Sequence, residues 1–516
     1  MLSKTDIQSF LQCPRKLWLE YHGDDEASAN STVTSRRAMD GNIVGDKARS
    51  QLGKGFIWPP RNENMVKAAA EARRLLANSP GAAAAEVPMA HGNLHARADA
   101  LIPEASGYTL RETKASTFPL KKDGTTPAAP EEHHLIDVAI QAWVMTGSGL
   151  PLGRVELNLL DNRWRYPGDD NYEGLFRQLD VTKEVADRLG NVPDWLRQAE
   201  SVINGDMPET ATGRHCNDPY PCHFHEFCLG RDPKGPEHPI ELLPDKAGKD
   251  LARKLRESKG YDSILQPAAG ELTGKQAELY LRIQRGHRTG AAVKAPGAAA
   301  VLAALPYPRF YFDFEGIDLP VPRWAGVRPY EQIPFQWSCH IERAAGTFEH
   351  AEFLDLTGND PSLGCIKRMI ETIDPAGNGP IFVYYATYER SRLNELATRH
   401  PQYAEIMQKY VSRLVDLHPL VKAHFYHPKM EGSFSIKKVL PVIAPDLDYS
   451  QLDEVQEGTG AQIAYIEAAL DQATTQKRKL ELERKLLTYC KQDTWAMVEV
   501  AYFLAELARP TRPNGI

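Results

Sequence analysis

Residues 309–317 read RFYFDFEGI, which is the pattern of a short aromatic strand. Successive side chains of a strand point to opposite faces, so Asp313 and Glu315 share one face and Phe312 and Phe314 share the other. We expect the two phenylalanines to enter the core. Two carboxylates side by side repel each other unless a cation lies between them. The stretch therefore predicts a strand that buries one face and presents a cation site on the other.

Two further segments of the second half place acidic side chains at defined positions. Residues 379–385, GPIFVYY, read as another strand, and Glu389 follows where the chain leaves the sheet. In 488–494, TYCKQDT, Tyr489 and Asp493 lie four residues apart on a predicted helix, so both reach the same side. Four such carboxylates can hold two divalent cations about 4 Å apart, the arrangement that hydrolyses phosphodiesters.

In order and spacing, these residues resemble the DEDD exonucleases of the ribonuclease H-like fold, in the branch that carries a tyrosine. The resemblance covers about 305–510 and implies a mixed sheet with flanking helices and removal of nucleotides from 3′ ends. It implies Tyr489 as the residue that positions the nucleophile. The ligands of Mg²⁺ or Mn²⁺ that it implies are Asp313, Glu315, Glu389 and Asp493. The middle acid is usually an aspartate, so Glu389 departs from the pattern, and Asp416 in RLVDLHPL is the alternative.

The first half carries a second set of acidic and basic residues. Residues 93–102, NLHARADALI, alternate as a strand that presents Asp99, and the next strand puts Glu112 and Lys114 on one face. Two acids can bind Mg²⁺ or Mn²⁺, while a lysine can stabilise the charge that develops on a phosphate. Residues 133–145 read as a helix with three polar residues on one face, namely His134, Asp137 and Gln141.

This succession resembles the PD-(D/E)XK nuclease core of the RecB type, in which the glutamine touches the active site. The site residues that it implies are the metal ligands Asp99 and Glu112 and the catalytic residues Lys114 and Gln141. Many RecB-like nucleases also carry a metal-binding histidine at the end of an early Gly-x-x-x-His segment. Residues 41–45 read Gly-Asn-Ile-Val-Gly, and Gly45 has no side chain to coordinate a metal. Such a site relies on Asp99 and Glu112, with Glu86 as a further candidate.

Four cysteines lie near the two ends of this first half. Cys216, Cys222 and Cys228 are separated by five residues each time in a segment rich in proline and glycine, and Cys13 lies near the start. Four thiolates are what a 4Fe–4S cluster requires. One early and three late cysteines resemble the iron–sulfur RecB-like nucleases, including those of CRISPR adaptation, in which the cluster ties the two ends of the domain together.

Zinc is the alternative for this cysteine set, because histidines at 215, 223 and 225 lie among the thiols. The spacing favours iron–sulfur, since structural zinc knuckles use pairs with about two to four intervening residues. We interpret the three other cysteines as buried thiols, namely Cys339, Cys365 and Cys490.

Length and composition predict a multidomain globular protein. At 516 residues the chain exceeds one ordinary core, and we expect an α/β nuclease domain over 1–235, a helical linker over 236–304 and an exonuclease-like domain over 305–516. Apolar residues make up 42% and charged residues 25%, the balance of a soluble protein. The formal charge of −7 does not favour nucleic-acid binding, but carboxylates gathered around metals are compatible with locally basic grooves.

The N-terminal residues lack the apolar core and cleavage site of a secretion signal, and no stretch approaches the roughly 18 apolar residues of a membrane span. We therefore expect a cytoplasmic protein that does not bind membranes. The whole chain resembles a bacterial family that fuses an iron–sulfur RecB-like nuclease to a DEDD-type exonuclease-like domain. This resemblance implies a metal-dependent nuclease with DNA as the expected substrate. A ribonuclease, and a nucleic-acid-binding or scaffolding protein with inactive sites, are the alternatives.

Overall fold

The computed structural model describes residues 1–23, 32–447 and 458–511, and for residues 32–35 it describes the backbone alone. The chain divides into two compact units. The first comprises Met1–Pro233 and Asp318–Glu331, and the second comprises Lys234–Ile317 and Gln332–Ile516. Each unit combines helices with β-sheet, so the expected mixed α/β class is confirmed.

The first unit is built on a mixed sheet with helices. Its helices are α1 (Lys4–Gln12), α2 (Pro14–His22), α3 (Thr32–Ser50), α4 (Met65–Asn78), α5 (Glu132–Gly147), α6 (Thr182–Leu189), α7 (Val192–Ile203) and α8 (His225–Leu229). Its strands are β1 (Leu2–Ser3), β2 (Ala84–His91), β3 (Leu94–Glu104), β4 (Gly107–Thr117), β5 (Leu152–Leu160) and β6 (Phe176–Asp180). Among the described residues these strands form one sheet in the order β1-β3-β4-β5-β6, with β2 also paired to β3. Strands β3 and β4 are antiparallel, whereas β4 and β5 are parallel.

The core of the first unit lies between this sheet and α5. Helix α5 is apolar over most of its surface, and Val138 and Ile140 are fully buried in the same cluster as Leu157 of β5. Because α5 is covered on nearly all sides, its polar residues Asp137 and Gln141 are buried as well. Buried polar groups require partners, so these two residues are expected to take part in a network.

The second unit has its own mixed sheet. Its helices are α9 (Asp245–Lys259), α10 (Ala277–Thr289), α11 (Ala298–Ala303), α12 (Ser362–Thr372), α13 (Thr387–Arg399), α14 (Ala404–Arg413), α15 (Leu417–His424), α16 (Ile436–Ile443), α17 (Gly458–Tyr465) and α18 (Gln476–Leu504). Its strands are β7 (Val293–Lys294), β8 (Arg309–Asp318), β9 (Gln332–Ala344), β10 (Thr347–Leu354), β11 (Ile381–Val383), β12 (Leu414–Asp416) and β13 (Phe425–Tyr426). In the described part of the chain, five strands pair in the order β10-β9-β8-β11-β12. Strands β8, β11 and β12 run parallel, and β9 and β10 are antiparallel.

The segment 236–304, which we expected to be a linker, is instead part of the second unit. Strand β7 pairs with β13, and Arg282 of α10 donates a hydrogen bond of 2.6 Å to the carbonyl of Lys422. Leu279 and Ile283 of α10 are buried. The apolar face of α10 therefore packs into the unit, although the small residues that follow it resemble a flexible join.

The segment Asp318–Glu331, between β8 and β9, belongs to the first unit. Its Val327 carbonyl accepts a hydrogen bond of 2.9 Å from the amide of Tyr166, whose own carbonyl accepts from Gly326. The Tyr330 hydroxyl donates to the carbonyl of Ala115, the residue after Lys114. Within the described ranges, no helix combines the length and the apolar content needed to cross a bilayer.

Candidate metal centres

Strand β8 has the alternation that its sequence predicts. Phe312 and Phe314 are buried in the core of the second unit, with ring centroids 4.6 Å apart, and Phe312 also packs against Trp337. Asp313 and Glu315 lie on the opposite face. The aromatic residues thus anchor the strand in the core, and the two carboxylates are fixed beside each other by the backbone.

Helix α18 brings a third carboxylate to these two. One carboxylate oxygen from each of Asp313, Glu315 and Asp493 lies within 4.8 Å of the other two. Asp313 and Asp493 are partly exposed, while Glu315 is buried. The structure therefore brings together three of the four acids that the sequence singled out in this half.

Crowding of these acids has a large electrostatic effect. Burial, together with the charges of Asp493, Glu315 and Glu389, holds the pKa of Asp313 well above its usual range. Burial and the charge of Asp493 raise the pKa of Glu315 to about 8. Burial and crowding thus disfavour the charged forms of Asp313 and Glu315. Hard divalent cations prefer this all-oxygen donor set, and binding one would relieve the repulsion.

Glu389 and Asp416, the two candidates for the middle acid, have different surroundings. Glu389 lies in the first turn of α13 and is buried, which raises its pKa to about 8. Among the described residues, its Oε2 has no hydrogen-bond partner. The charge of Glu389 contributes to the raised pKa values of Asp313 and Glu315. Both oxygens of Asp416 instead accept backbone hydrogen bonds from Tyr385, Ala386 and His418, at 3.0–3.1 Å. This arrangement favours Glu389 as the fourth acid.

Tyr489 is buried one turn before Asp493 on α18, as the spacing predicts. The ammonium of Lys437, from α16, lies 5.6 Å from the centroid of its ring. Lys437 also lowers the pKa of Glu315, so it approaches the carboxylates. The sequence did not reveal Lys437, because no local spacing links α16 to a strand more than a hundred residues earlier.

The first unit also assembles the residues expected of it. The amide of Thr113 donates a hydrogen bond of 2.8 Å to Oδ2 of Asp99, which fixes that carboxylate against β4. Lys114 Nζ lies 2.8 Å from Oε1 of Glu112 and also pairs with Asp137. The side-chain amide of Gln141 donates a hydrogen bond of 2.9 Å to Oδ1, the other carboxylate oxygen of Asp137. The predicted strand pair and helix face thus meet in one network.

Lys4 is a member of this network that the sequence did not reveal. Its Nζ lies 2.8 Å from Oε1 of Glu112 and 3.0 Å from Oδ1 of Asp137. Despite burial, Lys114 and Lys4 lower the pKa of Asp137. Burial and Glu112 raise the pKa of Asp99 to about 7. Lys4 lies more than a hundred residues from Glu112 in sequence, so only the tertiary fold could reveal this contact.

A small polar cavity lies beside Asp99, and Gly45 and Glu86 also line it. A β-carbon added at Gly45 would meet no atom within 4 Å. Arg49, one turn later on α3, donates a hydrogen bond of 2.6 Å to Glu86. A side chain at position 45 would therefore enter open space close to the candidate metal ligand Asp99, while Glu86 is paired with an arginine.

The four clustered cysteines converge as expected. Cys13, Cys216, Cys222 and Cys228 line one small cavity together with His215 and His225, and none of them forms a disulfide. The backbone amide of Cys222 donates a hydrogen bond of 2.7 Å to the carbonyl of Cys216. The side-chain amide of Gln12, in α1, donates hydrogen bonds to the carbonyls of His215 and Tyr220. Cys339, Cys365 and Cys490 are fully buried elsewhere, as predicted.

Two comparisons with known proteins bear on this chain. Residues 310–435 match a family model described as a domain of unknown function (DUF2779). The chain is also 25% identical over 235 residues to Uncharacterized protein UU173 of Ureaplasma parvum, an alignment that covers 41% of this chain. The aligned region spans 33% of the length of that relative. The matched domain contains Asp313, Glu315 and Glu389 and ends before α18.

Proposed function

We propose that the protein is a metal-dependent nuclease that hydrolyses phosphodiester bonds, with DNA as the expected substrate. The second unit acts as a 3′-to-5′ exonuclease. The observation that carries the proposal is the approach of Asp313, Glu315 and Asp493 oxygens to within 4.8 Å of one another. The charge of Glu389 also raises the pKa of Asp313. A mixed sheet with flanking helices is the architecture that the ribonuclease H-like resemblance implies, and it supports the same conclusion.

The carboxylates of the second unit fit Mg²⁺ or Mn²⁺, because they are hard oxygen donors whose mutual repulsion a cation relieves. A divalent cation held there supplies activation of water and stabilisation of the leaving oxygen. Asp313, Glu315, Glu389 and Asp493 would hold it. Tyr489 orients the attacking water through its hydroxyl, and the ammonium of Lys437 stabilises negative charge on the phosphate.

The first unit carries a second nuclease site in this proposal, of the RecB-like PD-(D/E)XK type. Asp99 and Glu112 would bind the metal, and Lys114 would stabilise charge on the scissile phosphate. Gln141 acts through Asp137, because its amide fixes the carboxylate that holds Lys114. The geometry supports the assignment, because Lys114 pairs with both Glu112 and Asp137, Gln141 donates to Asp137, and the amide of Thr113 holds Asp99 against β4.

The cysteines at 13, 216, 222 and 228 hold a 4Fe–4S cluster in this proposal, with zinc as the alternative. Their convergence on one small cavity supports the cluster, because four thiolates are what a 4Fe–4S cluster requires. The cluster would join the start of α2 to the segment around Cys216. Its role is structural, since the surrounding prolines and glycines limit the regular elements of this segment to short helices such as α8.

A second candidate function is nucleic-acid binding by a first unit without nuclease activity. The observation that favours it is neutralisation of Glu112 and Asp137 by two lysine ammoniums, Lys4 and Lys114. A ribonuclease is the third candidate, because the same chemistry hydrolyses RNA. The following experiment distinguishes both of these candidate functions from hydrolysis of DNA.

The test is hydrolysis of 5′-labelled DNA and RNA, single- and double-stranded, with Mg²⁺ or Mn²⁺. We compare wild type with Asp99→Ala/Lys114→Ala and Asp313→Ala/Asp493→Ala. The control is Glu371→Ala/Glu405→Ala, which removes two exposed carboxylates of the second unit. We expect a ladder of shortening DNA products that the Asp313/Asp493 variant alone abolishes. A ladder that survives in the Asp313/Asp493 variant, or hydrolysis that persists when all four substitutions are combined, would refute the assignments. No hydrolysis of any substrate would favour the binding function.

A further inference from the structure

Lys4 is held by an anchored stretch of backbone. Strand β1, which ends at Ser3, pairs in parallel with Leu94 and His95 of β3. The hydroxyl of Ser3 accepts a hydrogen bond of 3.2 Å from the amide of Asp6, and the carboxylate of Asp6 accepts one of 2.6 Å from the amide of Ser3. Lys4 follows this cap directly as the first residue of α1. The strand pairing and the cap therefore fix the position from which its side chain extends.

The same two carboxylates bridge the ammoniums of Lys4 and Lys114. Lys4 Nζ lies 2.8 Å from Oε1 of Glu112 and 3.0 Å from Oδ1 of Asp137. Lys114 Nζ lies 2.8 Å from the same Oε1 of Glu112 and pairs with Oδ2 of Asp137. Both acids are buried, so each ammonium offsets one buried negative charge. Lys4 thus repeats, from a different element, the contacts that Lys114 makes.

One oxygen of Glu112 is left over by these contacts. Its Oε2 is buried, and among the described residues it has no hydrogen-bond partner. The antiparallel register that pairs Ala100 with Arg111 puts Asp99 opposite Glu112 on the neighbouring strand, where the amide of Thr113 holds it. Buried carboxylate oxygens normally have a partner. A divalent cation bound by Oε2 of Glu112 and by Asp99 would supply one.

Charge balance distinguishes a site for one divalent cation from a site for two. Asp99, Glu112 and Asp137 carry three negative charges when they are ionised. Lys4 and Lys114 carry two positive charges. One divalent cation leaves a single positive charge in the network, which one phosphodiester group neutralises. Two divalent cations would leave three positive charges in a largely buried site, and buried charges without partners are costly.

We propose that the ammonium of Lys4 takes the place of a second metal ion, so that the nuclease site of the first unit binds a single divalent cation. The inference rests on the proposed function of the first unit and adds a positioning residue to it. Lys4 holds Oε1 of Glu112 and leaves Oε2 to the cation. Two-metal nucleases take both positive charges from solution. In the first unit, one of the two is part of the chain.

The first measurement counts the Mn²⁺ ions bound to the full chain by electron paramagnetic resonance. The background is Asp313→Asn/Asp493→Asn, which removes the proposed site of the second unit. We expect one bound ion when Lys4 is present. Lys4→Gln keeps an amide donor and loses the charge, and we expect it to bind two ions, whose magnetic coupling broadens the spectrum. Lys4→Arg keeps the charge and should bind one, as should Lys67→Met, the control at an exposed lysine of α4.

A charge-compensated variant separates the charge of Lys4 from its contribution to folding. Lys4→Gln/Asp137→Asn removes one positive and one negative charge from the same ion pair, so the net charge of the network is unchanged. We expect this double variant to bind one Mn²⁺ ion. In chemical denaturation without metal, its midpoint should lie closer to that of the background protein than the midpoint of Lys4→Gln does.

The ion counts separate this inference from the proposed function. Two Mn²⁺ ions in Lys4→Gln, and one in the background protein, Lys4→Arg and the double variant, would support the role of Lys4. One ion in every variant, or two ions while Lys4 is present, would overturn that role and leave the metal site of the first unit in place. No Mn²⁺ bound by any of these proteins would overturn the metal site itself, and the role of Lys4 with it.

Discussion

The two carboxylate sites of this protein deal with crowded negative charge in opposite ways. In the first unit, Glu112 and Asp137 are each paired with the ammoniums of Lys4 and Lys114. In the second unit, three carboxylate oxygens approach one another within 4.8 Å, and the pKa values of Asp313 and Glu315 are raised. Similar residue types can thus form either an internally neutralised network or a site that favours a divalent cation.

The largest effect is expected from Asp313→Asn in the second unit. Loss of a metal ligand should lower hydrolysis by about 10³-fold or more, because a bound metal contributes several kcal/mol to the transition state. The same change removes a crowded charge, so the metal-free protein should melt at a higher temperature than wild type. Steady-state hydrolysis and thermal denaturation in EDTA test both parts. A loss of activity with a lower melting temperature would indicate misfolding instead.

A smaller effect is expected from Lys4→Met in the first unit. This change leaves Glu112 and Asp137 with one ammonium instead of two, and breaking such a buried pair costs about 3 kcal/mol. Chemical denaturation should show a destabilised first unit, which Mg²⁺ partly restores. The control is Lys67→Met, which alters an exposed lysine of α4. Equal stability of the two variants would contradict the neutralised network.

The melting temperature of the second unit should depend on pH differently with and without Mg²⁺. Glu315 and Glu389 have pKa values raised from 4.5 to about 8, so the folded state binds protons more tightly than the unfolded state. The stability that these two acids give to the folded state by binding protons is greatest below pH 4.5 and is lost as the pH rises through 8. We expect Mg²⁺ to raise the melting temperature of the second unit more at pH 8 than at pH 5. A metal effect that is independent of pH would argue against these acids as ligands.

The smallest effect is expected from adding a side chain at Gly45. Gly45→His places an imidazole in the open space beside Asp99 and should increase Mn²⁺ affinity at the first site several-fold, in an Asp313→Asn/Asp493→Asn background. Isothermal titration calorimetry measures the Mn²⁺ affinity of each variant. Gly41→His is the matched control, because position 41 also has open space but does not line the cavity. Equal affinities in the two variants would place the metal elsewhere.

Local periodicity explains which parts of the sites could be predicted from the sequence. Alternation along a strand pairs Asp313 with Glu315, and helical spacing pairs Tyr489 with Asp493. Both relations depend only on neighbours in the chain, so the sequence carries them. The mixed α/β class followed from the same patterns.

The remaining features depend on contacts between distant segments. Lys4 and Lys437 reach their sites from helices that no spacing rule connects to the acids. The packing of residues 236–304 and of 318–331 follows from apolar faces and backbone hydrogen bonds that meet only in the folded chain. Asp416 resembled a metal ligand in sequence, and its three backbone hydrogen bonds give it a structural role.

The central claim is that the carboxylates of the second unit bind the catalytic metal. Its most direct test is a Mn²⁺ titration followed by electron paramagnetic resonance, on wild type, Asp99→Ala/Lys114→Ala and Asp313→Asn/Asp493→Asn. The account predicts that the Asp313/Asp493 variant loses the tightest Mn²⁺ site and that the Asp99/Lys114 variant keeps it. An unchanged tightest site in the Asp313/Asp493 variant would contradict the account.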